Sequence, residues 1–127
     1  MLLLDTQVVL WVSAGSPKLG RRSYELIEAS SQVFVSSATV LELTIKSMLG
    51  KLDLPAGFIE SLADQGFQRL PIDHDDAAGI AHFPGLVRHD PFDRLLLSQA
   101  RTKGLDLVTA DETILSLGLA RVIDARR

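Results

Sequence analysis

Cysteine is absent from this sequence. That excludes a disulfide framework, a thiolate zinc site and a cysteine nucleophile, and it suits a reducing cytoplasm, the expected location. Long apolar runs are missing too. Runs such as residues 1–4 and 95–97 fall far short of the roughly 20 residues a membrane-spanning helix requires, so no membrane association is expected. Asp5 follows the first run at once, with no basic leader before it, so that run does not read as a secretion signal. An excess of positive charge is also lacking. The net charge of −3 argues against binding nucleic acid by charge alone, but a carboxylate site that recruits its positive charge from bound metal escapes that argument. Neither G-x-G-x-x-G nor G-x-x-x-x-G-K-[ST] occurs, which removes support for dinucleotide binding and for a P-loop. The three histidines do not have the close paired spacing of a zinc helix motif. His74 and His82 read as surface or loop residues, while His89 adjoins Asp90 and is a secondary candidate for substrate contact. Ser36 and Ser37 with a distant histidine give no evidence for a serine triad.

What is present reads as one domain over residues 1–127, with 46% hydrophobic and 23% charged residues, enough for a core of its own. Short apolar runs alternate with longer stretches of helical period, the pattern of an α/β fold with a parallel sheet. Strands are expected at 2–4, 33–35, 106–108 and 122–123, with a short one at 68–70. Thr6–Ser13 reads as a short helix. Ser16-Pro17, a cap followed by proline, predicts a helix running to about Ala29. Ser36 or Ser37 caps a helix over 38–49 that Gly50 stops. Pro55 opens another to about Gln65, and Asp73 caps one reaching His82. Residues 83–89 read as loop. Asp90-Pro91 starts a helix that Gly104 ends, and a short helix covers 112–117.

Four carboxylates stand out by position. Asp5 ends the first strand and Asp111 follows the strand at 106–108. Glu42 lies early in its helix, in line with Ala38, Ile45 and Leu49 on a face expected to pack inward. Asp93 is in the first turn of its helix. In a parallel βα fold each helix starts at the carboxyl edge of the sheet, so all four converge at that edge, where open α/β sheets bind ligands. Crowded carboxylates repel one another unless a cation sits among them, and hard oxygen ligands select magnesium or manganese. The competing reading is structural. Asp5, Asp90 and Asp111 are each placed to cap a helix, Asp93 suits a helix N-terminus, and Glu42 is spaced to pair with Lys46. Neither a cap nor a solvated face accounts for a carboxylate between Ala38 and Ile45, so jointly the site reading is preferred. Lys46, Lys51, Arg88, Arg94 and Arg101 are candidate phosphate contacts around it.

The segments carrying these acids resemble a known family. Residues 2–11 (LLLDTQVVLW), 35–46 (VSSATVLELTIK) with Gly50-Lys51-Leu52, 89–96 (HDPFDRLL) and 107–111 (LVTAD) together resemble PIN-domain ribonucleases, above all the VapC toxins of bacterial toxin–antitoxin pairs. The resemblance covers nearly the whole chain in order. It implies a PIN-like fold, a central parallel sheet of four or five strands flanked by helices. It implies magnesium- or manganese-dependent endoribonuclease activity, an RNA substrate, a cognate antitoxin and a homodimer. Asp5, Glu42, Asp93 and Asp111 match the family's acidic quartet, expected to be both catalytic and metal-binding, and Asp90 matches an additional acid. Thr6, Lys46, Arg94 and Thr109 are the residues expected to meet the substrate. Arg94 either steadies transition-state charge or forms an ion pair. Two positions depart from the pattern: Gln7 stands where histidine is frequent, and Leu41 where tryptophan is.

Other classes fit less well. A haloacid dehalogenase-type phosphotransferase needs a second acid two residues after Asp5, where this chain has Gln7. A phosphoacceptor receiver domain needs a paired acid near the first strand and a late lysine at a strand end, and neither is found. A catalytically silent PIN-like module that binds RNA or protein is the remaining alternative, opposed by the intact quartet.

Overall fold

The structure, a computed structural model, describes Met1–Arg127. Its strands are β1 (Leu2–Leu4), β2 (Val33–Ser36), β3 (Gln68–Leu70), β4 (Asp106–Thr109) and β5 (Val122–Asp124). They form one sheet in the order β3-β2-β1-β4-β5, with every pairing parallel. The helices are α1 (Thr6–Ala14), α2 (Arg21–Ala29), α3 (Ser37–Met48), α4 (Phe58–Asp64), α5 (His74–Ala78), α6 (Pro91–Lys103) and α7 (Glu112–Ser116).

Side chains alternate across the sheet, as the two-residue strand period requires. Leu2, Leu4, Val33, Val35 and Val108 pack on one face with Val8, Val9, Ile27 and Leu62. Leu3 and Leu107 pack on the other with Ala38, Leu96, Leu97, Ala100 and Ile114. Both faces are therefore covered by helices, which is why the central strands are mainly apolar, while the edge strand β3 exposes Gln68 and Arg69. No helix is long and apolar enough to cross a membrane.

Two helix starts differ from the sequence expectation. Ser16-Pro17 does not open a helix: the Ser16 hydroxyl accepts from the Lys18 amide, the chain turns, and α2 begins only at Arg21. The cause is tertiary. The Gly20 amide donates to the Ala125 carbonyl at 2.8 Å, so the segment is tied to the C-terminal strand first. Pro55 also precedes its helix, accepting from the Phe58 amide in a turn, and α4 starts after Gly57, whose φ of 76° ends that turn. The helix capped by Asp73 is shorter than expected, passing from α5 into a 3-10 turn at Gly79–His82, and a second 3-10 turn, Pro84–Leu86, lies in the expected loop.

The tie at Gly20 is testable. A Cβ there would lie 2.1 Å from the backbone of Arg127. Gly20→Ala is expected to destabilise the protein by about 1–3 kcal/mol, the usual cost of overpacking. The readout is a lower midpoint of urea unfolding at unchanged slope; an unmoved midpoint would contradict the close approach.

Candidate functional site

The chain order of the strands creates the site. After β1 the chain builds β2 and β3 on one side, then crosses to build β4 and β5 on the other. The carboxyl ends of β1 and β4 therefore flank the point where the winding reverses, the place where open α/β sheets hold ligands. Asp5 follows β1 and Asp111 lies two residues beyond β4. Between α1, α3 and α6 a cleft of about 660 Å³ opens there, and Asp5, Glu42, Asp90, Asp93 and Asp111 all line it.

Three of these acids also start helices. One Asp5 oxygen accepts from the Val8 amide at 2.8 Å, one Asp90 oxygen from the Phe92 amide at 2.7 Å, and one Asp111 oxygen from the Ile114 amide at 2.9 Å. In each, Oδ1 satisfies an orphan amide of the first turn. The capping and site readings are thus compatible, because each carboxylate has a second oxygen. The other Asp5 oxygen accepts from the Thr109 hydroxyl, and that hydroxyl in turn accepts from the Asp111 amide at 3.0 Å. Thr109 is buried and couples the two strand ends rather than lining the cleft.

Glu42 is buried on α3. Its carboxylate accepts from the Thr6 hydroxyl at 2.7 Å and from Lys46 at 2.6 Å. The spacing expectation of a Glu42–Lys46 pair holds, with the acid buried and the lysine half-exposed. The inward face expected for α3 extends only from Ala38 to Glu42. Ile45 and Leu49 are exposed. Lys46 is held in its charged form above the usual lysine range by the Glu42 hydrogen bond and by the charges of Glu42, Asp90 and Asp93, against the effect of burial.

Asp93 carries the clearest electrostatic signature. Burial, then the charges of Asp90, Asp111, Asp5 and Glu42, push its carboxyl up to about 7. Burial also raises Asp5, opposed by hydrogen bonds from Thr109, Val8 and Ala110. Facing Asp93 is His89, whose Nε2 lies 3.2 Å from an Asp93 oxygen and 3.5 Å from an Asp111 oxygen. One donor atom from each of these three residues falls within 4.8 Å of the other two. Oxygen donors this crowded, with one acid pushed so far up by burial and by its neighbours' charge, fit a divalent cation.

Of the remaining sequence candidates, Thr6, Lys46 and Lys51 line the cleft, whereas Arg88, Arg94 and Arg101 do not. Arg94 follows Asp93 on α6, and its Nε is buried without a hydrogen-bond partner. Lys18, Arg126 and Trp11 line the cleft without having been singled out by sequence. Lys18 is brought there by the turn that replaces the expected helix start, and Arg126 by the C-terminal segment. No local pattern marks either. Gln7 also lines the cleft, so the departure from histidine falls at the site itself.

The raised carboxyl of Asp93 sets a pH dependence. In the metal-free protein Asp93 keeps its proton up to about pH 7, whereas the unfolded chain releases it near 3.8. Between these values the folded state binds more protons, so stability falls as pH rises. Asp73 and Asp124, held low by Lys103 and Arg126, titrate below this window. Asp5, Glu42, Asp90, Asp111, His89 and Lys46 also face the site, so the contribution of Asp93 is read by difference. Melting in EDTA from pH 4 to pH 8 should show a decline for the wild type that Asp93→Asn lacks. Parallel curves would contradict it.

An acid-lined cleft at the carboxyl edge of a five-stranded parallel sheet places the chain among open α/β proteins, whose ligand sites lie at that edge. The PIN domain family model matches residues 2–118, and the chain belongs to that family. PIN domains are generally nucleases. No curated protein matches the chain by sequence at a significant level. Among solved structures the fold is similar to a toxin–antitoxin complex from Klebsiella pneumoniae, at 20% identity and TM-score 0.69, covering 98% of each chain. It is similar to FitAcB from Neisseria gonorrhoeae, at 22% identity and TM-score 0.66, again covering 98% of each. VapBC2 from Rickettsia felis, bound to a DNA fragment from its promoter, gives 16% identity and TM-score 0.66 over 96% of this chain and 95% of that one. At these identities the likeness is one of fold.

Proposed function

We propose that this protein is a metal-dependent endoribonuclease and the toxin of a toxin–antitoxin pair. The observation that carries the reading is the convergence of five carboxylates on one cleft, with the Asp93 carboxyl pushed to about 7 by burial and by the charges of the others. In this reading Asp5, Glu42, Asp93 and Asp111 hold magnesium or manganese, with Asp90 beside them. When bound, such an ion supplies Lewis-acid polarisation of a phosphodiester and lowers the pKa of water.

The chain's own residues do the rest. Asp5, Asp90 and Asp111 are fixed by their caps, so their free oxygens need no reorganisation to bind a cation. Thr109 orients Asp5, and Thr6 with Lys46 orients Glu42. Lys18, Lys46, Lys51 and Arg126 surround the acids with positive charge that meets phosphates of the RNA backbone. Arg94 stands outside this lining and makes no ion pair, so a packing role suits it better than a hold on the substrate.

A protein partner is supported by a second surface. Leu41, Ile45 and Met48 on α3 and Leu49 at its C-cap are exposed, an apolar concentration of the kind that marks interaction sites. The structural neighbours are themselves described as toxin–antitoxin assemblies or as VapBC and FitAB complexes. The reading includes a cytoplasmic location and a homodimer, the latter checked by sedimentation. The deciding experiment is cleavage of single-stranded RNA by the purified protein with magnesium or manganese, abolished by EDTA. Binding of RNA without cleavage under any divalent metal would replace the nuclease by a silent binding module. Expression alone should slow growth, and co-expression of an adjacent antitoxin gene should restore it. Harmless expression with a positive cleavage assay would remove the toxin and leave the nuclease.

A further inference from the structure

His89 makes contacts that an incidental loop histidine would not need. It follows the Pro84–Leu86 turn, and its amide donates to the Leu86 carbonyl at 2.9 Å, which fixes the backbone. Its side chain is about one-fifth exposed, with Nε2 turned toward two carboxylates from different elements, Asp93 on α6 and Asp111 beyond β4. A charge-assisted hydrogen bond to a single acid would close to roughly 2.7–2.9 Å. Instead Nε2 stands 3.2 Å from one oxygen and 3.5 Å from the other.

The 3.2 Å contact is within hydrogen-bond reach, and both spacings also suit ligands that share an ion. Neighbouring ligands around an octahedral cation with bonds of about 2.1 Å lie roughly 3.0 Å apart. Around a tetrahedral zinc with bonds of about 2.0–2.1 Å they lie roughly 3.3 Å apart. We propose that His89 gives its Nε2, together with Asp93 and Asp111, to one divalent ion, so that this end of the cleft is a mixed nitrogen–oxygen site. The inference rests on the reading that the cleft carboxylates hold a cation, and it adds a ligand and a selectivity. Imidazole nitrogen suits zinc and other late first-row ions, whereas magnesium takes oxygen ligands and retains its waters. The site then favours manganese- and zinc-type ions over magnesium, and zinc, which three such ligands and a water would suit, competes with the others.

The test reads the metal and not the reaction. Full-length protein, without RNA, is loaded with manganese and its electron spin-echo modulation recorded in two forms, natural abundance and 15N-histidine-labelled. The expected result is a histidine nitrogen coupling that changes with the isotope and disappears in His89→Gln but persists in His82→Gln. By calorimetry, zinc affinity should fall by about tenfold or more in His89→Gln, within the range that even outer-shell partners of a metal contribute. The magnesium affinity should move far less. The isotope comparison uses wild-type protein alone and so holds even if the variant folds poorly. Manganese bound without nitrogen coupling, or with coupling that survives His89→Gln, overturns the ligand role and leaves the carboxylate site standing. In that case His89 bridges the two acids by hydrogen bonding alone. Failure of manganese to bind at all overturns both.

Discussion

Asp93→Asn is expected to abolish RNA cleavage under the proposed reading and at the same time to make the metal-free protein more stable at neutral pH. The two halves have one cause. Asp93 is the acid on which the others converge, its carboxyl pushed to about 7 by burial and by Asp90, Asp111, Asp5 and Glu42. Asparagine keeps the shape, removes the charge and ends the repulsion. The lost activity should exceed the roughly 10–100-fold that removal of a mere outer-shell partner costs. A structural carboxylate gives a different pattern, with stability falling and activity following it. Cleavage assays with magnesium or manganese, beside melts in EDTA at pH 7.5, distinguish the two. Equal cleavage by the variant would mean that Asp93 is not in the site.

Asp5→Asn is the second large effect, and it separates cap from ligand without any substrate. Asparagine caps a helix about as well as aspartate, so the bond from the Val8 amide survives. The contact with Thr109 survives reversed, since that hydroxyl already accepts from the Asp111 amide and can accept from an amide nitrogen as well. What asparagine cannot keep is the charge. The variant should therefore match or exceed the wild type in EDTA. With magnesium at a hundredfold excess over Kd, the wild type should gain about 2.7 kcal/mol and the variant far less. Thermal melts with and without metal decide it. An undiminished magnesium shift in the variant, with unchanged stability in EDTA, would remove Asp5 from the metal site.

Much of the architecture can be read from local chemistry. Asp90-Pro91 and Gly104 bracket α6, Ser36 caps α3 from the end of β2, and the apolar triplets become the strands of one parallel sheet. These signals work because the cap or turn is made by neighbours in sequence. Ser16-Pro17 and Pro55 fail for the opposite reason. Each is diverted into a turn, and at Gly20 the tie to the C-terminal segment outweighs the local preference for helix. The acids themselves were legible, since strand ends and first helical turns meet at one edge of such a sheet. Their surroundings were not. Lys18, Trp11 and Arg126 reach the cleft through the fold, and the contact of His89 with both Asp93 and Asp111 depends on a loop path with no periodicity.

The double use of the capping acids bears on how other chains with this architecture are to be read. Asp5, Asp90 and Asp111 each hold a helix start with one oxygen, so a descendant that had lost its chemistry would still be under pressure to keep them. Their presence in such a sequence would testify to folding alone. Glu42 and Asp93 cap nothing, and Asp93 stands against its own electrostatic interest. Where those two positions have become neutral while the three caps persist, the chain is better understood as a retired enzyme than as a working one.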